Sequence, residues 1–588
     1  MKLLRIKITD PKGFRSLQAG FEYQFRTEWD LQEENGFAPF VCAGPNGSGK
    51  SNLLEALAAI FYHMECIYLE NRPDSFDYDE ETNPNGFQGK KSIPEEFEIE
   101  YLIDAGNTLQ NQNEQSFAHI LVVKEPENSP KWFHLNAEGH EGNSEITERT
   151  VFRELLPKYI LGYSSGENEI LSLPFFKMRF IQYDEYWQAL KEQSGYSGSP
   201  ESRLIYLDSG FSQAILLCNL LFQEADALKP FREDVKVEEL REFRIIIRSS
   251  IEISKESASS FFGKSLFLHP FGKGGFQSKN PAVHFDPETE RYTINLITLL
   301  DGSDKAEKDK IIPRLNRCAT CWYHDESSDT IYLDYFVNEE TRQAFRDNFS
   351  NDPIQLFQAF QVLLTLNLYS VSDRLKADLY QSESHYVSET VPTLASDERI
   401  MRFKFVKFSK TDVAEPVMLK NLSDGEHQLL HALGLCLLFR NTQSLFLLDE
   451  PETHFNPDWR ANFISRLSEC FNDSDGQEML ITTHTPFLIS DSKPEKVLVF
   501  KKSDGVVSVE HPDYNTLGAS INKITMATFG KRETIGLRAQ TMLENLRQRF
   551  EQGANKEQLL TEINRQIGDS VEKVLLIKTI LDSMEEKG

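Results

Sequence analysis

The spacing of apolar residues along the 588-residue chain predicts regular strand–helix alternation near both ends and mixed character in between. Period-two alternation indicates strands, and recurrence every three to four residues indicates helices. Near the start these patterns predict strands at Met1–Thr9 and Ala38–Ala43 and a helix at Asn52–Tyr62. Near the end they predict strands and helices at Met401–Phe408, Asp424–Phe439, Ser444–Leu448, 457–471, Glu478–Thr482 and Lys496–Lys501. Such repetition is typical of an α/β fold with a buried parallel sheet.

The middle of the chain breaks this alternation. Helical spacing covers Gln213–Leu228, Val237–Ile251 and Asp352–Leu375, whereas Ser278–Leu300 and Thr320–Phe336 are rich in strand patterns. We therefore predict one α/β domain split by a large mixed α+β insertion and followed by helices. The predicted parts are the first half of the domain, the insertion, the second half and a helical tail, at 1–185, 186–398, 399–530 and 531–588.

A glycine-rich turn follows the strand at Ala38–Ala43. Residues 44–51, GPNGSGKS, fit G-x-x-x-x-G-K-S between a strand and a helix. In such a loop the backbone N–H groups and the helix N-terminus face phosphate oxygens. We expect Lys50 to reach the β- and γ-phosphates of a nucleotide and Ser51 to bind Mg²⁺. The predicted nucleotide-binding residues are Asn46, Gly47, Ser48, Gly49, Lys50, Ser51 and Asn52.

Three further motifs follow in the second half of the domain. Asp449 and Glu450 end an apolar strand, where a carboxylate can hold Mg²⁺ and a neighbouring one can act as general base. Ser423 precedes a helix in the sequence LSDGE, which is also the pattern of a simple helix cap. His484 follows another apolar strand and, alone, would be an ordinary structural histidine.

Composition narrows the functional classes. Lys and Arg total 63 against 91 Asp and Glu, a net charge of −28, which excludes a uniformly basic surface that coats nucleic acid. A local basic patch or a basic protein partner remains compatible with that charge. The start of the sequence lacks the apolar segment of a signal peptide, the apolar runs are too short for a membrane span, and seven scattered cysteines indicate a reducing compartment. We expect a cytoplasmic protein without a membrane partner.

The order of these motifs resembles that of the ATP-binding cassette (ABC) ATPases, so the fold class is expected to be a split ABC-type P-loop head. The resemblance implies ATP and Mg²⁺ as cofactors and two heads that sandwich two ATP molecules. It also implies that Ser423 and Gly425 cap the γ-phosphate bound by the other subunit. Asp449 then corresponds to Walker B, Glu450 to the catalytic glutamate, His484 to the switch histidine and 454–457 to the dimer-contacting D-loop. Gln182, after a predicted strand, is either the Q-loop ligand of Mg²⁺ or a solvent-facing glutamine.

The 373 residues between Lys50 and Ser423 resemble the split heads of the SMC, RecF and OLD branch. Residues 14–17, FRSL, resemble the opening of RecF-like heads, where Arg15 either contacts nucleotide or DNA or is a surface arginine. The stretches 163–169 and 517–530 are similar to restriction-associated ATPases of the Septu type, which pair an ATPase with an HNH nuclease in antiphage defence.

This resemblance implies a homodimer, assembled further into a higher oligomer, that regulates a separate HNH nuclease subunit and reaches DNA through that complex. The nucleotide either activates or restrains the nuclease. An alternative is a RecF-like repair ATPase that clamps DNA directly through a helical stripe of Arg241, Arg244 and Arg248 or through arginines of the tail. A third alternative is a nucleotide-sensing scaffold with negligible ATP turnover.

Overall fold

The architecture was taken from a computed structural model of the chain. It describes residues 1–27, 30–31, 36–67, 92–104, 117–126, 128–136, 144–147, 149–165, 169–192, 203–254, 269–271, 275–277, 282–286, 288–301, 310–385, 387, 391, 393–471, 476–530 and 535–585. Contacts between residues divide the chain into two compact units, Met1–Gly518 and Ala519–Gly588.

The elements up to residue 206 are β1 Lys2–Ile8, β2 Glu22–Gln24, β3 Phe40–Ala43, α1 Lys50–Ile67, β4 Phe97–Asp104, β5 Phe117–Lys124, β6 Lys131–His134, β7 Ser144–Ile146, α2 Arg149–Glu154, β8 Tyr159–Ser164, α3 Ser172–Glu192 and β9 Leu204–Tyr206. The middle region contains α4 Ser209–Phe222, α5 Lys229–Asp234, β10 Val237–Arg248, β11 Ser250–Ser254, β12 His269–Phe271, β13 Gly275–Gln277, β14 Val283–Asp286, β15 Arg291–Asn295, α6 Leu296–Asp301, α7 Ile311–Cys318, β16 Cys321–Asp325, β17 Thr330–Phe336, α8 Glu339–Asn348, α9 Pro353–Thr365 and α10 Asp373–Gln381.

The remainder of the first unit contains β18 Met401–Lys410, β19 Val413–Met418, α11 Asp424–Phe439, β20 Ser444–Asp449, α12 Pro457–Phe471, β21 Glu478–Thr483, α13 Pro486–Ser490, β22 Val497–Ser503 and β23 Val506–Glu510. Short 3₁₀ helices cover Leu366–Ser370, Leu419–Asn421 and Pro494–Lys496. The second unit contains α14 Ile521–Phe529, α15 Leu537–Glu551, α16 Lys556–Gln566 and α17 Val571–Glu585.

A seven-stranded sheet forms the centre of the first unit, in the order β23-β22-β3-β21-β20-β8-β9. Its strands from β22 to β9 are parallel, and only β23 pairs antiparallel. Every residue of β3, β8, β20 and β21 is buried, because parallel strands are covered on both faces. One side of the sheet packs on α1 through a shared apolar core. The predicted fold class, an α/β P-loop head with a mixed insertion and C-terminal helices, is confirmed.

Two antiparallel sheets accompany the central one. The first has the order β2-β1-β4-β5-β6-β7, and β4 and β5 alternate between buried and half-buried positions. The second has the order β16-β17-β10-β18-β19. In it β18, which leads into the second half of the head, pairs with β10 from the middle of the chain. Two smaller sheets, β11-β15-β14 and β12-β13, belong to the insertion.

The prediction of a helix at Val237–Ile251 is wrong, because β10 covers most of this segment. Its three consecutive isoleucines favour a strand, and β10 is sandwiched between β17 and β18. The helical stripe of Arg241, Arg244 and Arg248 therefore does not exist. The Arg244 guanidinium instead pairs with Asp334 of the neighbouring strand at 2.6 and 2.8 Å.

The central sheet also reaches past the predicted boundary at residue 185, since its edge strand β9 lies at Leu204–Tyr206. Helix α4, which follows β9, packs against α11. The insertion is thus joined to the head by both strand pairing and helix packing.

The second unit has its own apolar core, formed by Leu543, Leu546, Leu559, Ile563, Ile567, Leu576 and Ile580.

Within the described residues, no single helix is long and apolar enough to cross a membrane. Among those residues, the bent pair Pro353–Ser370 and Arg374–Gln381 passes that test when its two helices are taken together, by length and composition alone.

Candidate functional site

The candidate site lies at the carboxyl edge of three adjacent parallel strands. β3 leads into the glycine-rich loop, its neighbour β21 leads into His484, and β20 ends at Asp449. Parallel strands deliver their carboxyl ends to one edge of a sheet, where α/β proteins bind ligands. Residues that are far apart in sequence therefore meet in one place.

The loop between β3 and α1 has the backbone of a phosphate cradle. Gly44, Gly47 and Gly49 have φ angles of 144°, 74° and 102°, which residues with a side chain rarely adopt. A Cβ at Gly44 would lie 2.4 Å from the carbonyl oxygen of Phe500. Among the described residues, the buried Ser48 hydroxyl has no hydrogen-bond partner. The loop thus has the shape and the unsatisfied donor that a phosphate ligand requires.

Lys50 is buried at the start of α1 and points back along the loop. Its Nζ donates to the carbonyl oxygens of Gly44 and Pro45 at 3.0 and 3.1 Å. Burial lowers the pKa of Lys50 to about 8, so the ammonium form is only weakly favoured above neutral pH. A phosphate in the loop would add to the negative charge that Glu450 and Asp449 already place near this ammonium.

Asp449 binds two hydroxyl groups through one carboxylate oxygen. Ser51 Oγ donates to Asp449 Oδ1 at 2.7 Å, and Thr482 Oγ1 donates to the same oxygen at 2.6 Å. Burial raises the pKa of Asp449. A buried carboxylate beside a serine hydroxyl is a hard oxygen donor set that suits Mg²⁺, which is usually completed by phosphate oxygens and water. The described residues contain no cluster of three or more His, Cys, Asp or Glu side chains with metal-binding geometry.

Glu450 and His484 form a pair at the mouth of the site. His484 Nε2 lies 2.8 Å from Glu450 Oε1, and both side chains are about one-third exposed, at 34% and 30%. Glu450 has a left-handed φ of 50°, held by its N–H, which donates to Thr482 Oγ1 at 3.0 Å. This strained turn directs the carboxylate away from the strand. The hydrogen bond from His484 lowers the pKa of Glu450, so the carboxylate is ionised at neutral pH and can accept a proton.

A second glutamate, Glu452, lies buried behind this pair, and sequence reasoning missed its role. Thr483 Oγ1 donates to Glu452 Oε1 and accepts from the N–H of Thr485 at 3.0 Å. Burial raises the pKa of Glu452 to about 7. Through Thr483, Glu452 therefore fixes the position of the segment that carries His484. The sequence offered only an acid next to proline as a signal.

The LSDGE sequence, residues 422–426, caps α11 and is called the signature sequence below. Ser423 and Glu426 form a capping box, in which the Ser423 N–H donates to Glu426 Oε2 at 2.8 Å. Gly425 is buried, and a Cβ there would lie 2.7 Å from the carbonyl oxygen of His454 in the D-loop. The His454 N–H donates to Gln428 Oε1 at 2.8 Å. The signature helix and the D-loop are therefore joined by a close approach that requires glycine at 425 and by the hydrogen bond to Gln428.

The FRSL sequence contacts the P-loop helix. Ser16 Oγ donates to Asn52 Oδ1 at 2.6 Å, so the side chain of Asn52, a predicted nucleotide-binding residue, is engaged by Ser16. The Arg15 guanidinium binds Glu55 at 2.8 and 2.9 Å, which ties this arginine to α1. The prediction that Gln182 follows a strand is wrong. Gln182 lies buried within helix α3.

Ser165, in the stretch 163–169, is another residue whose role the sequence does not predict. Its N–H donates to the Asp449 carbonyl oxygen at 3.1 Å, and its Oγ lies 2.8 Å from Thr453 Oγ1. It thus joins the end of β8 to the Walker B turn. Residues 166–168 of that stretch lie outside the described residues.

Fold and site together are those of a P-loop α/β head. The sequence family described as "AAA domain, putative AbiEii toxin, Type IV TA system" matches residues 323–490, a range that includes the signature, Walker B and His484. Protein ea59 of Escherichia phage lambda is 25% identical over 126 residues, which are 21% of this chain. The chain spans 23% of the length of that relative.

The chain is also similar, at low identity, to solved structures of SMC heads and of RecF. An SMC head bound to the C-terminal winged-helix domain of ScpA is 11% identical, over 87% of this chain and 97% of that one, with a TM-score of 0.32. The SMC head domain from Thermotoga maritima is 11% identical, over 87% and 100%, with a TM-score of 0.30. RecF with ATP is 13% identical, over 86% and 99%, with a TM-score of 0.29.

Proposed function

We propose that this chain binds ATP with Mg²⁺ and hydrolyses it. The observation that carries this proposal is the meeting of Lys50, Ser51, Asp449, Glu450 and His484 at one sheet edge. Lys50 and the loop N–H groups would hold the phosphates, and Ser51 and Asp449 would hold Mg²⁺, which supplies charge stabilisation. The Glu450 carboxylate would accept a proton from the attacking water, oriented by His484.

Two heads are proposed to close on each other, each offering its signature to the site of the other. Ser423 and Asp424 are exposed, and the Ser423 hydroxyl hydrogen-bonds to Glu426 within its own helix. The signature therefore faces outward, which suits a contact with a second copy. ATP can drive closure only if it binds the closed form more tightly than the open form.

The proposed role of closure is to regulate a separate HNH nuclease in a cytoplasmic antiphage complex. The net charge of −28 supports a basic protein partner that supplies the DNA-cutting surface. With Mg²⁺, the purified chain should leave DNA intact, and DNA should be cut only when the nuclease subunit is present. Cleavage by the chain alone would contradict this division of labour.

Glu450→Gln tests the proposed ATPase function. Removing the general base should lower ATP turnover by about 100-fold or more while ATP binding is retained, so the dimer should persist with ATP. Phosphate release, ATP binding and molar mass by light scattering measure the three properties. Asp458→Asn, at an exposed position beyond the D-loop, serves as the control and should behave like the wild type. Wild-type turnover no faster than that of Glu450→Gln would favour a nucleotide-sensing scaffold.

A further inference from the structure

The sheet β16-β17-β10-β18-β19 has one buried face and one outward face, and the outward face is exposed over part of its area, since Ile246 and Thr330 on it are only 3% and 7% exposed. On the buried face lie Phe243, Ile245 and Leu333, which are 0–2% exposed. Opposite residues on antiparallel strands share a face, so the strand registers place alternate residues on the outward one. Its aromatic side chains include Tyr323, which is 64% exposed, and Phe336, which is 60% exposed.

Three aromatic rings and two cations lie in a line across this outward face. The rings of Tyr323 and Tyr332 are stacked, with centroids 6.2 Å apart and an interplanar angle of 29°. The Arg244 guanidinium lies 5.8 Å from the ring of Tyr332 and 5.5 Å from that of Phe405. Lys404 Nζ lies 5.4 Å from the Phe405 ring. We call these five residues the stacking line; it crosses strands β16, β17, β10 and β18.

Phe405 is held in this line by backbone strain. The pairing of β10 with β18 shifts register between Glu242 and Arg244, which leaves an extra residue in β18. Phe405 lies at that bulge with a φ of 54°, a left-handed value that is rare for a bulky residue. Strain of this kind often marks functional positions. Here it presents a large apolar ring, 41% exposed, to solvent.

The charge of this face is opposite to that of the whole chain. Its strands present five cations, Arg244, Arg248, Arg402, Lys404 and Lys407, against the three acids Glu242, Asp325 and Asp334. Arg244 and Lys407 pair with two of those acids. Within the part of the chain that the structure describes, no carboxylate forms an ion pair with Arg248, Arg402 or Lys404. The positive charge of this face is therefore a local feature, since the whole chain has a net charge of −28.

We propose that this face binds single-stranded nucleic acid. Unpaired bases would stack on the exposed rings of Tyr323 and Phe405, which flank Tyr332 and Arg244 in the line. Phosphates would be held by Arg248, Arg402 and Lys404. Proteins that bind single strands combine such stacking rings with basic side chains. A duplex buries its base faces and cannot stack on the rings, so it should bind more weakly.

The test is fluorescence anisotropy of the full chain with labelled 20-nucleotide dT and U strands and a 20-base-pair duplex, at 50 and 200 mM salt. We expect the single strands to bind more tightly than the duplex. Tyr323→Ala and Phe405→Ala should each weaken binding by about 5- to 100-fold, the loss of one stacked base. The matched control is Trp322→Ala, since Trp322 is 58% exposed and points to the opposite face of the same strand. Comparison of dT with U separates DNA from RNA.

Lys404→Gln should weaken binding and reduce the salt dependence of log affinity by about 0.7, the contribution of one phosphate contact in single strands. ATP turnover without oligonucleotide should remain at the wild-type level in Tyr323→Ala, so a failure of this proposal is distinguishable from a failure of the ATPase function.

Equal affinities of Tyr323→Ala and Trp322→Ala, or no binding at 50 mM salt, would overturn the proposal. Self-association that Tyr323→Ala abolishes, without oligonucleotide binding, would assign the face to a second copy instead.

Discussion

Single side chains set the chemistry of the candidate site, and those that act through buried hydrogen bonds were hardest to find. Asp449 and Ser51 were predicted from motif positions, and their side chains meet at 2.7 Å. Thr482, which donates to the same carboxylate oxygen, was not predicted, because a threonine at the end of an apolar strand is also an ordinary strand residue. Glu452 was missed for a similar reason, since only the fold shows that it is buried.

Glu452→Gln should keep the fold and flatten the pH dependence of stability. Because the folded-state pKa of Glu452 is raised to about 7 from 4.5, the folded protein binds this proton more tightly than the unfolded chain. The stabilisation of the folded protein by protonated Glu452 is fully present below pH 4.5 and is lost as pH rises to about 7. Glutamine stays neutral throughout this range. Denaturant unfolding of both proteins at intervals between pH 4.5 and 8 measures the difference.

Glu452→Ala is the contrasting variant at the same position. It should lower the free energy of unfolding by about 1–3 kcal/mol, because the buried hydroxyl of Thr483 loses its acceptor. It should also lower ATP turnover, since Thr483 precedes His484. Similar unfolding free energies for the alanine and glutamine variants at every pH would show that this hydrogen bond has no structural role.

Whether an element could be predicted depended on how local its determinants are. The β3–loop–α1 unit was predicted because strand, glycine positions and helix follow each other within 28 residues, from Phe40 to Ile67. Strand β10 was missed because its partners lie far away in the chain, as shown by Arg244 and Asp334, which are 90 residues apart. Charged residues in β10 imitate a helical period, and sheet pairing overrides it. Gln182 was misplaced because an apolar stretch of α3 was interpreted as a strand.

At the level of the signature helix, Gly425→Ala should be destabilising although alanine favours helices. The added Cβ would lie 2.7 Å from the His454 carbonyl oxygen, so the D-loop or the helix must move. We expect a loss of about 1–3 kcal/mol in the free energy of unfolding and reduced ATP turnover. Thermal or denaturant unfolding and phosphate release are the measurements.

Gly434→Ala is the matched control in the same helix. Its nearest neighbours, the side chains of Asn219 and Ile215, lie 3.5 Å from the added Cβ, which is ordinary contact. It should be neutral or stabilising by up to about 1 kcal/mol. If both variants gain stability alike, the close approach of His454 to Gly425 does not constrain this helix.

The whole molecule consists of two units, each with its own apolar core. The sequence predicted a helical tail from residue 531, and contacts place the start of the second unit at Ala519. A tail was predictable because amphipathic helices carry a local pattern. The start of the unit was not, because it is defined by which residues contact each other.

Ile563→Asn should unfold the second unit and leave ATP binding intact. Ile563 is fully buried in the core of that unit, and a buried unpaired amide is strongly destabilising. Limited proteolysis should then cut within 519–585, while nucleotide affinity stays within about twofold of the wild type. Asn564→Ala, at the exposed neighbouring position, should resist proteolysis like the wild type. Loss of nucleotide binding together with the tail would show that the two units fold cooperatively.

Six of the seven cysteines are buried, and the exposed one, Cys321, lies at the outward face beside the stacking line. The native chain therefore has a single thiol that a maleimide dye can reach, without any engineered cysteine. A dye at that position would report by its brightness on whatever covers this face. In the proposed dimer, the distance between dyes on the two copies would report the separation of the heads.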